Sequence, residues 1–177
     1  MFNRRSFVYA YSILLISTTA YSSQLLTRSV KLSTEIDNNK FFSYRIERFE
    51  FSNNNLVVEV DPRNNQLKNQ ETRLIIKTSI PSSSPIVPNY EIIATNLVSS
   101  CKRLNGDEVV NGFAKYYING IEINSTDTML LDDFYRTDAY LWVDKKFEII
   151  FDSIGSIVDF KNTPCSGEVV LNIGLDF

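Results

Sequence analysis

The chain has 177 residues, enough for one domain and cramped for two. Hydrophobic residues at 44% and charged residues at 22% sit near the globular average, so a packed core is feasible and global disorder is not expected. There is no histidine, which excludes Ser-His-Asp and Cys-His triads and HExxH zinc sites; two cysteines are too few for a four-cysteine zinc site or an iron–sulfur cluster, and a net charge of −3 gives no broad basic footprint for nucleic acid.

Residues 1–22 read as a secretory signal. Arg4 and Arg5 form a short basic region, Phe7 to Ile16 are apolar apart from Ser12, and Ser17 to Ser22 are mostly small and polar. Cleavage after Ala20 and after Ser22 both fit. An uncleaved anchor is the alternative, but the apolar run falls short of the about 20 residues a spanning helix needs. No cysteine follows the run, so a lipoprotein is not expected. Losing Arg4 and Arg5 with the signal takes the charge from −3 to −5. Export also sets the redox context. Cys101 and Cys165 are expected to pair, the alternative being two separate buried thiols. Such a bridge closes a loop of roughly 64 residues and stabilises by about 4 kcal/mol on the chain-entropy model.

The mature chain alternates with period 2 and shows little helical periodicity. Val30, Leu32, Thr34 and Ile36 share one face of a first strand, with Lys31, Ser33 and Glu35 on the other. Phe42, Tyr44 and Ile46 alternate with polar residues. Asn53-Asn54-Asn55 signals a turn, after which Leu56, Val58 and Val60 predict a strand stopping at Asp61-Pro62. Leu74 to Thr78 predict another strand, Pro81 to Pro88 an extended loop, and Tyr90 to Leu97 a strand leading towards Cys101. Tyr116 to Ile123 hold Asn119-Gly120 between apolar residues, the strongest short-range hairpin signal, because both turn positions need positive φ. Thr128 to Leu131 continue as a short strand, and Asp132 to Thr137 suit one helical turn. Tyr140 to Val143 and Phe147 to Phe151 read as two strands around Asp144-Lys145-Lys146. Last comes the most regular element: Val169, Leu171, Ile173, Leu175 and Phe177 alternate to the final residue. Many short strands with frequent turns predict an all-β, antiparallel sandwich.

Both ends are strand-like with one apolar face, and an uncovered flat edge is an aggregation hazard. Two arrangements cover it. The first strand pairs within its own domain and closes the sandwich, or it completes the sheet of a neighbouring copy, a head-to-tail contact that builds a filament.

Several segments carry a family resemblance. They are Ser29 to Asp37, the pair Ser43 to Ile46 and Leu56 to Val60, the C-terminal Cys165-Ser166-Gly167-Glu168-Val169-Val170-Leu171, and the hairpin Tyr117 to Glu122 with Asp127 to Leu130. Together they resemble the alpha-class chaperone–usher pilins, the subunits of class 5 colonisation-factor fimbriae and of the enterobacterial common pilus. The resemblance spans most of the mature chain, through motifs that are individually weak. It implies an immunoglobulin-like sandwich that lacks its last strand and is completed by a donor strand. It implies a signal peptide at 1–22, a donor extension at 23–37 and a pilin domain at 38–177. Val30, Leu32, Thr34 and Ile36 would plug the groove of the next subunit; Val169, Leu171, Ile173, Leu175 and Phe177 would line the acceptor groove and meet the chaperone. Neighbouring subunits, a periplasmic chaperone, an outer-membrane usher and a host receptor would be the partners, and the cell surface the destination. A self-contained secreted adhesin or glycan-binding or protein-binding module is the alternative.

No catalytic constellation stands out, and neither an enzyme nor a cofactor is expected. Asp132, Asp133 and Asp138 form an acidic cluster without calcium-loop spacing. Ser82-Ser83-Ser84 have no base to recruit. Lys102-Arg103 and Lys145-Lys146 read as surface charge. Asn124-Ser125-Thr126 is a glycosylation sequon, meaningful only in a eukaryotic secretory host. Tyr135, Tyr140 and Trp142 have the chemistry to stack on a glycan, although such aromatics more often serve core or strand pairing.

Overall fold

The structure, a computed structural model, describes residues 29–36 and 44–177. The expected signal at 1–22, residues 23–28 and 37 of the expected extension, and residues 38–43 with Phe42 among them lie outside the described residues. No helix occurs among the described residues; there are thirteen strands. In chain order they are β1 (Ser29–Ile36), β2 (Ile46–Phe51), β3 (Asn55–Val57), β4 (Val60–Asp61), β5 (Gln66–Leu67), β6 (Gln70–Pro81) and β7 (Asn89–Lys102). Then follow β8 (Glu108–Asn111), β9 (Ala114–Ile118), β10 (Ile121–Ile123), β11 (Thr128–Leu131), β12 (Tyr140–Phe151) and β13 (Cys165–Asp176).

Alternation builds two main sheets. The first runs β11-β7-β13-β1-β3, with β8 also on β7; the second runs β10-β9-β12-β6-β2; β4 and β5 form a small hairpin. Among the described residues every pairing is antiparallel except β1 on β13. The inward residues are those the period-2 pattern selects. Tyr90, Ile92 and Ala94 on β7 and Val169, Leu171 and Ile173 on β13 join Leu74, Ile76 and Ile80 on β6 and Leu141, Val143, Phe147 and Ile149 on β12 in one buried cluster. Each large side chain so buried contributes about 1.5–3 kcal/mol. The sandwich class expected from the sequence is therefore present.

Local chemistry explains the turns. Asn119 and Gly120 have φ of 48° and 81°, as a two-residue hairpin demands, and Asn119 Oδ1 accepts the Lys146 N–H at 2.8 Å, tying the hairpin to β12. The loop after Pro81 is held by Arg136, whose Nη1 donates to the carbonyls of Ser82 and Ser84 at 2.9 and 3.2 Å.

Three sequence expectations fail locally. Asp144-Lys145-Lys146 do not divide two strands; β12 runs unbroken through them and Lys145 points inward. Asp132 to Thr137 form no helical turn. Tyr135 instead bridges to Trp142, because its backbone gains two hydrogen bonds there. Leu56 to Val60 are not one strand: β3 ends at Val57 to pair with β1, and β4 turns away to pair with β5.

Candidate strand-completion groove

β2 and β3 form one wall by crossing between sheets. β2 belongs to the second sheet through β6. At Ser52 the chain leaves it, with the Ser52 N–H on the Arg73 carbonyl at 2.7 Å and the Ser52 hydroxyl 3.1 Å from that of Thr72. Three residues on, β3 lies in the first sheet beside β1, in register Ser29 with Val57, Val30 with Leu56 and Lys31 with Asn55. The other wall is β13, against which β1 runs in parallel from Val30 opposite Gly167 to Ile36 opposite Ile173.

β1 thus fills a slot between the first wall and the last strand. Its backbone bonds to β13 along its length but to β3 only near its start. Beyond Lys31 the β3 wall gives way to β2, which lies in the other sheet. Leu32 N–H still reaches the Asn54 carbonyl at 3.3 Å, and the Thr34 hydroxyl donates to the Phe49 carbonyl at 2.6 Å, bridging the two sheets. The gap left between β1 and the crossing is a cavity of about 290 Å³ lined by Leu32, Thr34, Glu50, Phe51, Ser52 and Asn54.

The predicted plug residues are placed as follows. Leu32 is buried, opposite the fully buried Val169, and Thr34 is half-buried, opposite Leu171. The side chains of Val30 and Ile36 lie outside the described residues. Val169, Leu171, Ile173 and Leu175 all point into the core on β13. Phe177 does not share their position: it lies past the end of β13, is 46% exposed, and stacks on Tyr44 with ring centroids 6.5 Å apart.

Cys101 and Cys165 form a disulfide between directly opposed residues of β7 and β13. It staples the start of the β13 wall to the strand behind it, so that wall is anchored independently of β1. The pair Lys31–Glu168 at 3.6 Å also spans β1 and β13, but both side chains are exposed and such a pair contributes little.

Sequence reasoning missed one polar network near the far end of β13. Lys145 is 2% exposed and pairs with Asp133, and the Tyr90 hydroxyl donates to the other Asp133 oxygen at 2.7 Å. Burial acts to raise the Asp133 carboxyl, but hydrogen bonds from Lys145 and Tyr90 outweigh it and hold the group below the ordinary carboxylate range. Burial, then the bond to Asp133, pushes the Tyr90 phenol upward. The network fixes the segment after β11 onto both sheets. Its only sequence signal was a lysine at an inward position of an alternating run. Asp132 and Asp138 stay exposed outside it, and among the described residues no three metal-ligating side chains converge.

Comparison with protein-family models finds no match, and comparison with curated proteins finds none either. Among solved structures the chain is similar to the CooA pilin subunit from enterotoxigenic Escherichia coli, at 10% identity and a TM-score of 0.42, over 65% of this chain and 86% of that one. A likeness of that strength assigns no function.

Proposed function

We propose that this chain is a structural subunit of an extracellular filament of the chaperone–usher pilus type, assembled by donation of the β1 strand between copies. One observation carries the reading: β1 is an N-terminal strand lying as a separate rung between β3 and β13. Remove it and two strand edges and an apolar face of Leu56, Val169, Leu171 and Ile173 open together. Backbone pairing would give a donated strand its affinity and alternate side chains its register. The sequence resemblance supports the same reading, and with it an exported, cell-surface location, a periplasmic chaperone and an usher as assembly partners, and a role in adhesion. On this reading the structure is the self-completed state of a single copy.

That same intrachain pairing favours a second reading, a closed secreted binding module whose β1 never leaves. The two separate experimentally. A chain beginning at Asn38 is unfolded thermally with and without a peptide covering Gln24 to Asp37, beside a peptide carrying Leu32→Asp. At about 100 times its dissociation constant the native peptide adds about 2.7 kcal/mol, a rise of several degrees, and the Leu32→Asp peptide adds none. The full chain, concentrated after refolding, then forms head-to-tail oligomers by light scattering. A shortened chain that is stable and ignores the peptide establishes the closed module instead.

A further inference from the structure

We propose that the outer face of the second sheet is a carbohydrate platform for a carboxylate-bearing pyranose, formed by Tyr135, Tyr140, Trp142 and Lys77. The site is independent of whether β1 is exchanged. Leu141 and Val143 are fully buried, so Trp142 between them faces outward from β12, where it is half-buried. The bridge to β12 sets Tyr135 beside it: the Tyr135 N–H donates to the Trp142 carbonyl at 2.7 Å, and the rings meet edge to face at 5.0 Å and 76°. Tyr140 opens the same strand, and Tyr135 and Tyr140 are 41% and 52% exposed. Further along this face lie the ion pairs of Arg48 with Glu50 and Lys146 with Glu71 and Glu148, together with Tyr117 and the exposed Ile150. What sets this end of the face apart is three aromatics gathered together, two of them in ring contact, rather than single exposed apolar residues.

The polar groups around them define the ligand. A pyranose has an apolar C–H face that stacks on aromatic rings and an edge of hydroxyls that needs fixed donors and acceptors. Arg73 and Asp144, paired at 2.7 Å one row along, supply both. Lys77 lies directly across from Trp142 on β6 and is exposed, and among the described residues no ion pair engages its amine. A local cation left without a carboxylate suits a carboxylate brought by the ligand. The platform is also pre-organised. Arg136 ties the residue after Tyr135 to the Ser82 and Ser84 carbonyls, and Asp133, two residues before it, is held by Lys145 and Tyr90.

The test is saturation-transfer NMR on the full chain with 3′-sialyllactose, a glucuronate-terminated disaccharide and lactose, paired with Trp142 fluorescence titration. At least one acidic sugar, and not lactose, receives saturation and shifts the fluorescence with a Kd on the order of millimolar. The arm that responds identifies the sialic or the uronic acid. Lys77→Gln, a surface change, reduces that sugar to the lactose level. Tyr135→Ala with Tyr140→Ala weakens it about tenfold or more with the thermal midpoint retained. Silence from both acidic sugars at about ten times that concentration overturns the proposal, as does equal binding of lactose or undiminished binding by the aromatic double variant.

Discussion

Leu32→Ala tests whether β1 is a separable strand. Leu32 is 6% exposed, sits opposite Val169 on β13 and lines the gap shared with Phe51, so its truncation removes an apolar contact that anchors the middle of β1. Leu→Ala at buried sites costs about 2–5 kcal/mol, and at a strand with a cavity on one side the lower end applies. The loss has a ceiling. Once β1 leaves the slot, nothing done to Leu32 can harm the remaining fold, so the effect is bounded by the docking free energy of β1. Hydrogen exchange reads this directly. A loss of about 2 kcal/mol exposes the β1 amides about 30-fold faster, because 1.4 kcal/mol is a factor of ten. Amides at the centre of β12, held between β6 and β9, exchange through global opening and slow or quicken only with overall stability. The expected pattern is selective: β1 loses protection more steeply than β12. If both lose it by the same factor, β1 opens only when the whole domain does, and the picture of a removable strand is refuted.

Three further outcomes are expected. Cys101→Ser with Cys165→Ser lowers stability by about 4 kcal/mol in urea unfolding, and reducing agent then has no further effect. Asp133→Asn costs about 3 kcal/mol or more, because it leaves Lys145 buried without a counter-charge, whereas Lys145→Met is nearly neutral, since the freed Asp133 is half in water; the opposite order in denaturation would disprove the network. The folded Asp133 carboxyl lies below its ordinary value of 3.8, so its contribution is complete above that value and is lost as pH falls through the folded value; the gap between native chain and Asp133→Asn narrows in acid below about pH 4. Gly155→Ala drives a methyl into the Asn65 carbonyl, a backbone group rather than the free end of a side chain, and costs about 1–3 kcal/mol in the same assay.

What the sequence shows and hides follows from period 2. Alternation marks a buried face wherever it runs unbroken, and β13 and the Asn119-Gly120 hairpin were legible for that reason. It does not name the partner. Leu56, Val58 and Val60 alternate as one strand should, yet the chain divides between β3 and β4, because β1 claims the first part and β5 the second. Lys145 was misread because a lysine beside Asp144 and Lys146 resembles a solvated turn. Its burial depends on Asp133 returning from twelve residues upstream and on Tyr90 from the opposite sheet, both tertiary facts. The disulfide was legible from compartment and count, but its placement as the staple of the groove wall was not.

The slot has no polarity of its own, and this bears on how self and neighbour would differ. β1 is parallel to β13 and antiparallel to β3, so the two walls run opposite ways. Any strand between them is parallel to one wall and antiparallel to the other, whichever end enters first. The tether decides the direction for a strand of the same chain. Seven residues, 37–43, join Ile36 to Tyr44, and Tyr44 lies against Phe177 at the end of the slot where β1 now finishes. Reversed in its own slot, β1 would finish at the Cys165 end, and those residues would have to run back along its whole length. At about 3.3 Å per residue that demands a nearly straight chain. A strand from another copy carries no such constraint and can enter either way. Its own strand, on a tether this short, competes at an effective concentration on the order of millimolar. Assembly in dilute solution on the proposed reading therefore requires that β1 be kept out of its own slot until a neighbour arrives, which is the physical task left for an assembly partner.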